Sequence, residues 1–532
     1  MLNVILWTPV AAAVLIAIAP ALAARWIAVA GTLVTLGFAI AMTVDFSSGS
    51  AAIQYAVDES WIPDLGVRYQ LGIDGISVFL VLITAVLWLA ATLFSALRGY
   101  PHDGRSRFYY LLLGIGEFAT LGAFIAQDLL LFVLFFDLML IPFFFLIGAF
   151  GGENRIRATT KMIVYTLVGS LLMLVAAIAT AILVSQETGE LSFSIAYLRE
   201  HALAGGSQEW IFALFAFAFL VKMPAFPIHG WMADAYRAAP LPVLALLSGV
   251  LSKVGAYGFL RVAFPIFPEA TVTFQELILI VGVASILYGS IMAFTQTNVR
   301  LVAGYSSIAQ LGFITIGLLA LSSDGADGAV LQMVNHALVT VALFIVIAVI
   351  YERSKTDDLR QMGGLAMRAP VLAGLFLVVT MATLAIPGSA NFIGEFYILN
   401  AVFESKIAFA FIAILGVALA AFYALRLYQR TMHNRLPEGM QSREVSWTEA
   451  LVLAPLVACI VALALYPGLI LEHGEASVDD KILGVALADC TAGDPATGEA
   501  AKDDVGFCPD DRHGVNDLLL QRLRTSAESI DQ

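Results

Sequence analysis

The sequence predicts an all-α polytopic membrane protein, with about fourteen transmembrane helices, two inverted five-helix repeats and two broken helices. Three observations predict it. The 532-residue chain is 60% hydrophobic and only 13% charged, more apolar surface than a soluble core needs. Apolar runs of ~20 residues, enough to cross a hydrocarbon slab of about 30 Å, recur from end to end. Two runs are interrupted by proline beside a charge: Pro224 and Pro227 follow Lys222, and Pro387-Gly388 precedes Glu395.

Taken in order, spans are expected near residues 2–21, 23–44 and 76–97, an N-terminal group within 1–108. The first has no basic leading region and no convincing small-residue cleavage site, so it reads as a retained helix and not a removed signal. Spans near 109–126, 128–150, 158–184, 208–239 (broken) and 243–263 form a first repeat over 109–263. Spans near 273–295, 299–320, 326–350, 371–404 (broken) and 407–429 form a second over 264–430. A last span near 449–470 falls within 431–470, and 471–532 is an acidic tail. The repeats rest on hydropathy and on the two breaks. Lys222 ends one half-helix and Glu395 falls in the first turns of another, the ends that favour a cation and an anion respectively.

With residue 1 outside, seventeen Lys and Arg fall in inner loops against four in outer ones, the tail aside, so both termini are expected outside. Of the net charge of −13, residues 471–532 contribute −9. That segment reads as a solvated, partly disordered extension, with a short amphipathic helix over Val515–Leu523. Cys490 and Cys508 within it either pair on an oxidising side or stay free, and Cys459 reads as inert helix interior. No Cys/His cluster has metal-ligand spacing and no Gly-rich loop precedes Lys-Ser/Thr. The chain is therefore expected to bind no metal, nucleotide, haem, iron–sulfur cluster or nucleic acid, and to move something across a bilayer without redox chemistry of its own.

Six ionisable residues interrupt six different apolar runs: Glu117, Asp137, Lys222, Lys253, His336 and Glu395. A charge at bilayer depth costs at least ~2.5–3.5 kcal/mol, so each is a functional candidate by default. A structural ion pair, for instance Asp137 with Lys222, would explain two of them; a proton relay explains all six. His229 and Trp231, beside the first break, read either as interfacial anchors or as part of a proton inlet. Gln296, Asn298, Arg300, Tyr305, Ser306, Ser307 and Gln310 read mostly as helix–helix hydrogen-bonding partners near the inner face. Asp74 is expected to cap the third span, and Asp128 to sit in a short loop.

The segments Phe136-Asp-Leu-Met-Leu-Ile-Pro-Phe-Phe-Phe-Leu-Ile-Gly148, Val221-Lys-Met-Pro-Ala-Phe-Pro-Ile-His-Gly-Trp231 and Ile386-Pro-Gly-Ser-Ala-Asn-Phe-Ile-Gly-Glu-Phe396 resemble the antiporter-like membrane subunits of proton-pumping NADH-quinone oxidoreductase, complex I. So do Leu71-Gly-Ile-Asp-Gly-Ile-Ser77 and Arg300-Leu-Val-Ala-Gly-Tyr-Ser-Ser-Ile-Ala-Gln310. The resemblance covers roughly residues 60–430. Glu395 resembles the chain M branch of the family, whereas chains L and N and Mrp-type antiporter subunits carry a lysine there.

The resemblance implies a multi-pass subunit of the bacterial cytoplasmic membrane that pumps protons beside chain L and chain N type neighbours. FMN, iron–sulfur clusters and quinone would belong to other subunits. It also implies that the fifth-span carboxylate pairs with the seventh-span lysine and connects, through the eighth-span lysine and eleventh-span histidine, to the twelfth-span charge. Those positions are Asp137, Lys222, Lys253, His336 and Glu395, and Glu117 matches a further carboxylate. The family typically has glutamate at Asp137; aspartate is one methylene shorter, so reaching Lys222 calls for a water or a small helix shift. An Mrp-type Na⁺/H⁺ antiporter subunit and a membrane-bound hydrogenase subunit are the alternatives, and Glu395 speaks against the first.

Overall fold

The computed structural model describes residues 1–491 apart from 103, 204, 438, 439 and 441, with side chains described to Ala488. The apolar runs fold as helices because only a helix or a closed barrel satisfies every backbone N–H and C=O inside lipid. α1 (Leu2–Ile18) and α2 (Ala21–Asp45) come first. An antiparallel hairpin follows, β1 (Gln54–Ile62) with β2 (Val67–Ile73), turning at Gly66 with φ +65°. A search for apolar runs does not detect this element, because its strands are polar and half exposed.

α3 (Gly75–Leu97) starts at Asp74, whose carboxylate accepts from Ser77 N while Ser77 Oγ accepts from Asp74 N, so the expected cap is present. α4 (Ser106–Ile125) leads to α5 (Leu129–Leu138), capped by Asp128, and α6 (Leu140–Phe150). The fifth run is interrupted at Met139, where Pro142 has no N–H to offer the Leu138 carbonyl. α7 (Arg155–Thr188) and the short α8 (Ile195–Glu200) precede α9 (Gly206–Lys222), the break, and α10 (Met232–Ala238).

The eighth run is not a plain α-helix. α11 (Leu241–Leu246), α12 (Lys253–Gly258) and α13 (Phe264–Ile266) are joined by π-helical turns at Leu247–Leu251 and Phe259–Ala263. α14 (Pro268–Thr295), α15 (Val299–Leu318) and α16 (Ser323–Ser354) follow. The second break separates α17 (Pro370–Thr383) from α18 (Ala390–Ser405), with Ala385 and Gly388 at φ +50° and +89°. α19 (Ile407–Met432), α20 (Trp447–Leu465) and α21 (Gly468–Thr491) complete the described residues.

Among the described residues, eleven helical segments are long and apolar enough to cross a membrane, and α1 and α17 are shorter apolar helices. α15, α16 and the Leu241–Ile266 segment are buried along their apolar windows, whereas α2, α19 and α20 leave most of theirs exposed. The former make the core and the latter a lipid-like rim. α14 and α15 touch backbone to backbone. A Cβ on Gly289 would stand 2.7 Å from Ala309 N, and one on Gly312 2.7 Å from the Gly282 carbonyl.

Two expectations are corrected. The segment after residue 471 does not begin as a solvated extension, because α21 packs against α3, α14 and α16. Val478, Ile482 and Val485, spaced as one helix face, are buried, and Ser477 Oγ accepts from Gly75 N at 2.9 Å. The surrounding acids disguised that face. Arg261, expected at an outer loop, is instead buried and bonded to Asp74 at 2.7 Å. The Cys490–Cys508 pairing and the helix over Val515–Leu523 lie outside the described residues.

Candidate functional site

α9 ends at Lys222 because Pro224 and Pro227 cannot continue it. One carbonyl freed by that ending, Val221 O, accepts from the Trp231 indole at 3.1 Å, which gives Trp231 a backbone-capping place in the break. Lys222 itself is buried. Its Nζ donates to the Phe136 carbonyl at 3.3 Å and lies 4.5 Å from the centre of the Phe136 ring. That carbonyl is among the last four of α5, the ones left without an intrahelical donor. Asp137 is the next residue, yet no ion pair joins it to Lys222 within 4.0 Å. Its half-buried carboxyl lies beside Ser170 of α7, and Oδ1 has no hydrogen-bond partner.

Lys222 and Ser252 line one narrow cavity, together with Met139, Trp231 and Tyr236. Ser252 leads directly to Lys253, which is buried between the two π turns. Lys253 Nζ donates to the Ser248 carbonyl at 3.0 Å and to Ser252 Oγ at 3.3 Å. A π turn shifts bonding from i−4 to i−5, so it exposes carbonyls that an α-helix would use internally. Lys253 therefore sits among neutral oxygens, without a carboxylate. It is the charged group that acts on buried His336 of α16, whose Nδ1 is unbonded. Ser248 Oγ meets Ser307 Oγ at 3.1 Å, which joins this helix to α15.

Glu395 is buried in the second turn of α18, after the second break. Gln310 of α15 donates to its Oε1 at 2.7 Å, and Gln332 of α16 donates to Gln310 Oε1 at 2.7 Å. Tyr423 of α19, bonded by Ser306 at 3.2 Å, flanks the same carboxyl. The sequence reading missed Gln332 altogether and gave Gln310 and Ser307 a generic packing role. The spacing held a signal: Gln332 and His336 are four apart and share one face of α16.

Glu117 stands apart. It is buried, with Oε1 unbonded, and lines a small cavity with Pro9 and Ala12 of α1, Thr32 of α2 and Trp88 of α3. Just past the first break, His229 stacks with Phe226, ring centres 5.7 Å apart, and lies 4.7 Å from Tyr288 and 6.3 Å from Tyr305. Lys161 and Asp234 pair nearby at 2.8 Å. At the C-terminal end of α16, buried Glu449 takes Arg353 at 2.9 Å and Arg98 at 2.6 Å.

A family profile described as NADH:quinone oxidoreductase/Mrp antiporter, TM matches residues 126–422. The chain is 36% identical to the NADH-quinone oxidoreductase subunit M of Rhodobacter capsulatus, over 89% of this chain and 94% of that one. It is similar to a chain in the respiratory complex I of Thermus thermophilus, at TM-score 0.83 and 28% identity, covering 91% of this chain and 100% of that one. A chain of the Mrp complex of a Dietzia species shares the fold, at TM-score 0.80 and 22% identity over 90% and 97% of the two chains.

Proposed function

As the chain belongs to the NADH:quinone oxidoreductase/Mrp antiporter transmembrane family, we propose that it is the M-type, proton-translocating membrane subunit of a bacterial respiratory complex I. It is a multi-pass membrane subunit of an NADH:quinone oxidoreductase. Flavin, iron–sulfur clusters and quinone belong to partner subunits; this chain supplies the path for protons, between chain L and chain N type neighbours and with both termini outside.

The observation that supports this reading most is the buried polar route from Lys222 through Ser252 and Lys253 towards His336 and Glu395. When Asp137 closes on Lys222, the carboxylate holds the ammonium charged. When it withdraws, Lys222 keeps the neutral Phe136 carbonyl and gives its proton to Lys253. His336 takes the proton next, and Glu395 delivers it to the outside. Glu117 is an accessory carboxylate.

The test is replacement of Lys222 by alanine or Glu395 by glutamine in the intact complex. Either should abolish NADH-driven acidification of inverted vesicles while assembly is retained. Wild-type pumping in either variant would sink the relay. Na⁺/H⁺ exchange without NADH would favour the Mrp-type alternative.

A further inference from the structure

Outward of His336, α15, α16 and α18 converge on three buried side chains, Gln310, Gln332 and Glu395. An amide has one accepting and one donating end. Gln332 Nε2 occupies Gln310 Oε1 at 2.7 Å, so Gln310 has only its NH₂ end to turn to Glu395, which it meets at 2.7 Å. The reverse orientation would set an amide oxygen against a carboxylate. Gln332 is held in turn by the residue before Glu395: a Cβ on Gly394 would lie 2.6 Å from Gln332 Oε1 and 3.1 Å from Gln332 Cβ. Glycine at 394 is thus what lets the amide lie flat against α18.

The other groups around Glu395 are few. α15 presents Gln310 and no charge. α16 presents Gln332, with His336 one turn inward and Asp327 nearer the outer end. α19 presents Tyr423. α17 carries no titratable side chain, and α20 carries Cys459 and Glu449, the latter held by Arg353 and Arg98 at the inner end.

We propose that Gln310 is a positioning residue for Glu395, aimed by Gln332, and that this amide pair fixes one carboxylate oxygen as an acceptor. A proton can then be taken up only at the other oxygen. Amides donate and accept hydrogen bonds but do not exchange protons readily, so the pair also closes a direct path from Glu395 through α15 and α16. This inference rests on the reading of Glu395 as a proton station.

The experiment measures protons pumped per NADH oxidised, across pH, in vesicles carrying the whole complex. A charge-assisted hydrogen bond stabilises the carboxylate over the acid. Gln310→Leu should therefore move the midpoint of the pumping profile towards alkaline pH by about one unit, or tenfold in proton concentration. Gln332→Leu frees Gln310 to turn and should move it in the same direction by less. An unchanged midpoint in an assembled Gln310→Leu complex overturns the proposal. If that variant fails to assemble, Gln332→Leu decides alone, a shifted midpoint supporting the proposal and an unchanged one overturning it. Wild-type pumping by Glu395→Gln would show instead that the relay reading has failed.

Discussion

Lys222 Nζ rests on the carbonyl of Phe136 at 3.3 Å, one residue short of the carboxylate expected to hold it. The carbonyl gives the lysine a hydrogen-bond acceptor while the Asp137 carboxylate stands beyond direct contact. Removing an opposite charge from within reach changes a group's proton affinity by roughly tenfold to thousandfold. On the proposed relay, the contact between Phe136 and Lys222 would be one end-state of a switch whose other end is Asp137.

Asp137→Glu adds the missing methylene and should let the carboxylate reach Lys222 without a helix shift. NADH-driven pumping is expected to persist in this variant. Asp137→Asn keeps the shape, removes the charge, and should lower pumping about tenfold or more. Acidification of inverted vesicles compares the two, and equal pumping by both would refute the switch.

Glu449 is buried between Arg353 and Arg98. Glu449→Gln would leave the buried Arg353 guanidinium without its carboxylate, whereas Arg98 would keep Glu352 at 2.9 Å, and breaking a buried pair in this way costs about 3–5 kcal/mol. A lower thermal unfolding midpoint of the purified complex is the expected result. The exposed Arg360, paired with Asp358, offers a contrast: Arg360→Ala should leave the midpoint where it was.

Asp480 lies on α21, outside the spanning segments. Burial works against its charge, but Lys481 and the Arg199 fork at 2.6 and 3.0 Å outweigh it and draw the carboxyl down to about 2. Burial also lowers the Lys481 amine in spite of Asp480, so the Arg199 contact is the firmer half of the pair. A depressed carboxyl adds stability above its unfolded value of about 4 and loses it as pH falls towards the folded one. Proteolysis of α21 should therefore rise between about pH 4 and 2, and Asp480→Asn should flatten that rise.

Gly312→Leu would drive a side chain into the backbone of α14, where even a Cβ stands 2.7 Å from Gly282 O and 2.9 Å from Ile286 N. Overpacking of this kind costs about 1–3 kcal/mol. Gly374 of α17 has no atom within 4 Å of its Cβ position. There Gly374→Ala should be harmless or raise the unfolding midpoint, since alanine is favoured in a helix interior by up to ~1 kcal/mol.

Much of the architecture was legible because lipid imposes length and apolarity on anything that crosses it. The two breaks were legible because Pro224, Pro227 and Pro387 announce them. The π turns around Lys253 were not, since one extra residue in a turn leaves a mostly apolar run unchanged to the eye. The interruption at Met139 was signalled by Pro142 but lay inside an otherwise uniform run. Of the site, the charged residues stood out against leucine and phenylalanine. Gln310 and Gln332 did not, because uncharged amides are common packing residues and their roles depend on which helix faces which.

The two π turns bear on how Lys253 can exist at all. A cation deep in a membrane normally needs an anion or water, and Lys253 has carbonyl and hydroxyl oxygens of its own helix. The helix wall thus acts as a fixed hydration shell, built when the chain folds and indifferent to what neighbouring side chains do. Lys222 has a charged neighbour in Asp137; among the described residues Lys253 has no carboxylate partner. On the proposed relay, that would make Lys253 a passive landing between two stations that are switched from elsewhere.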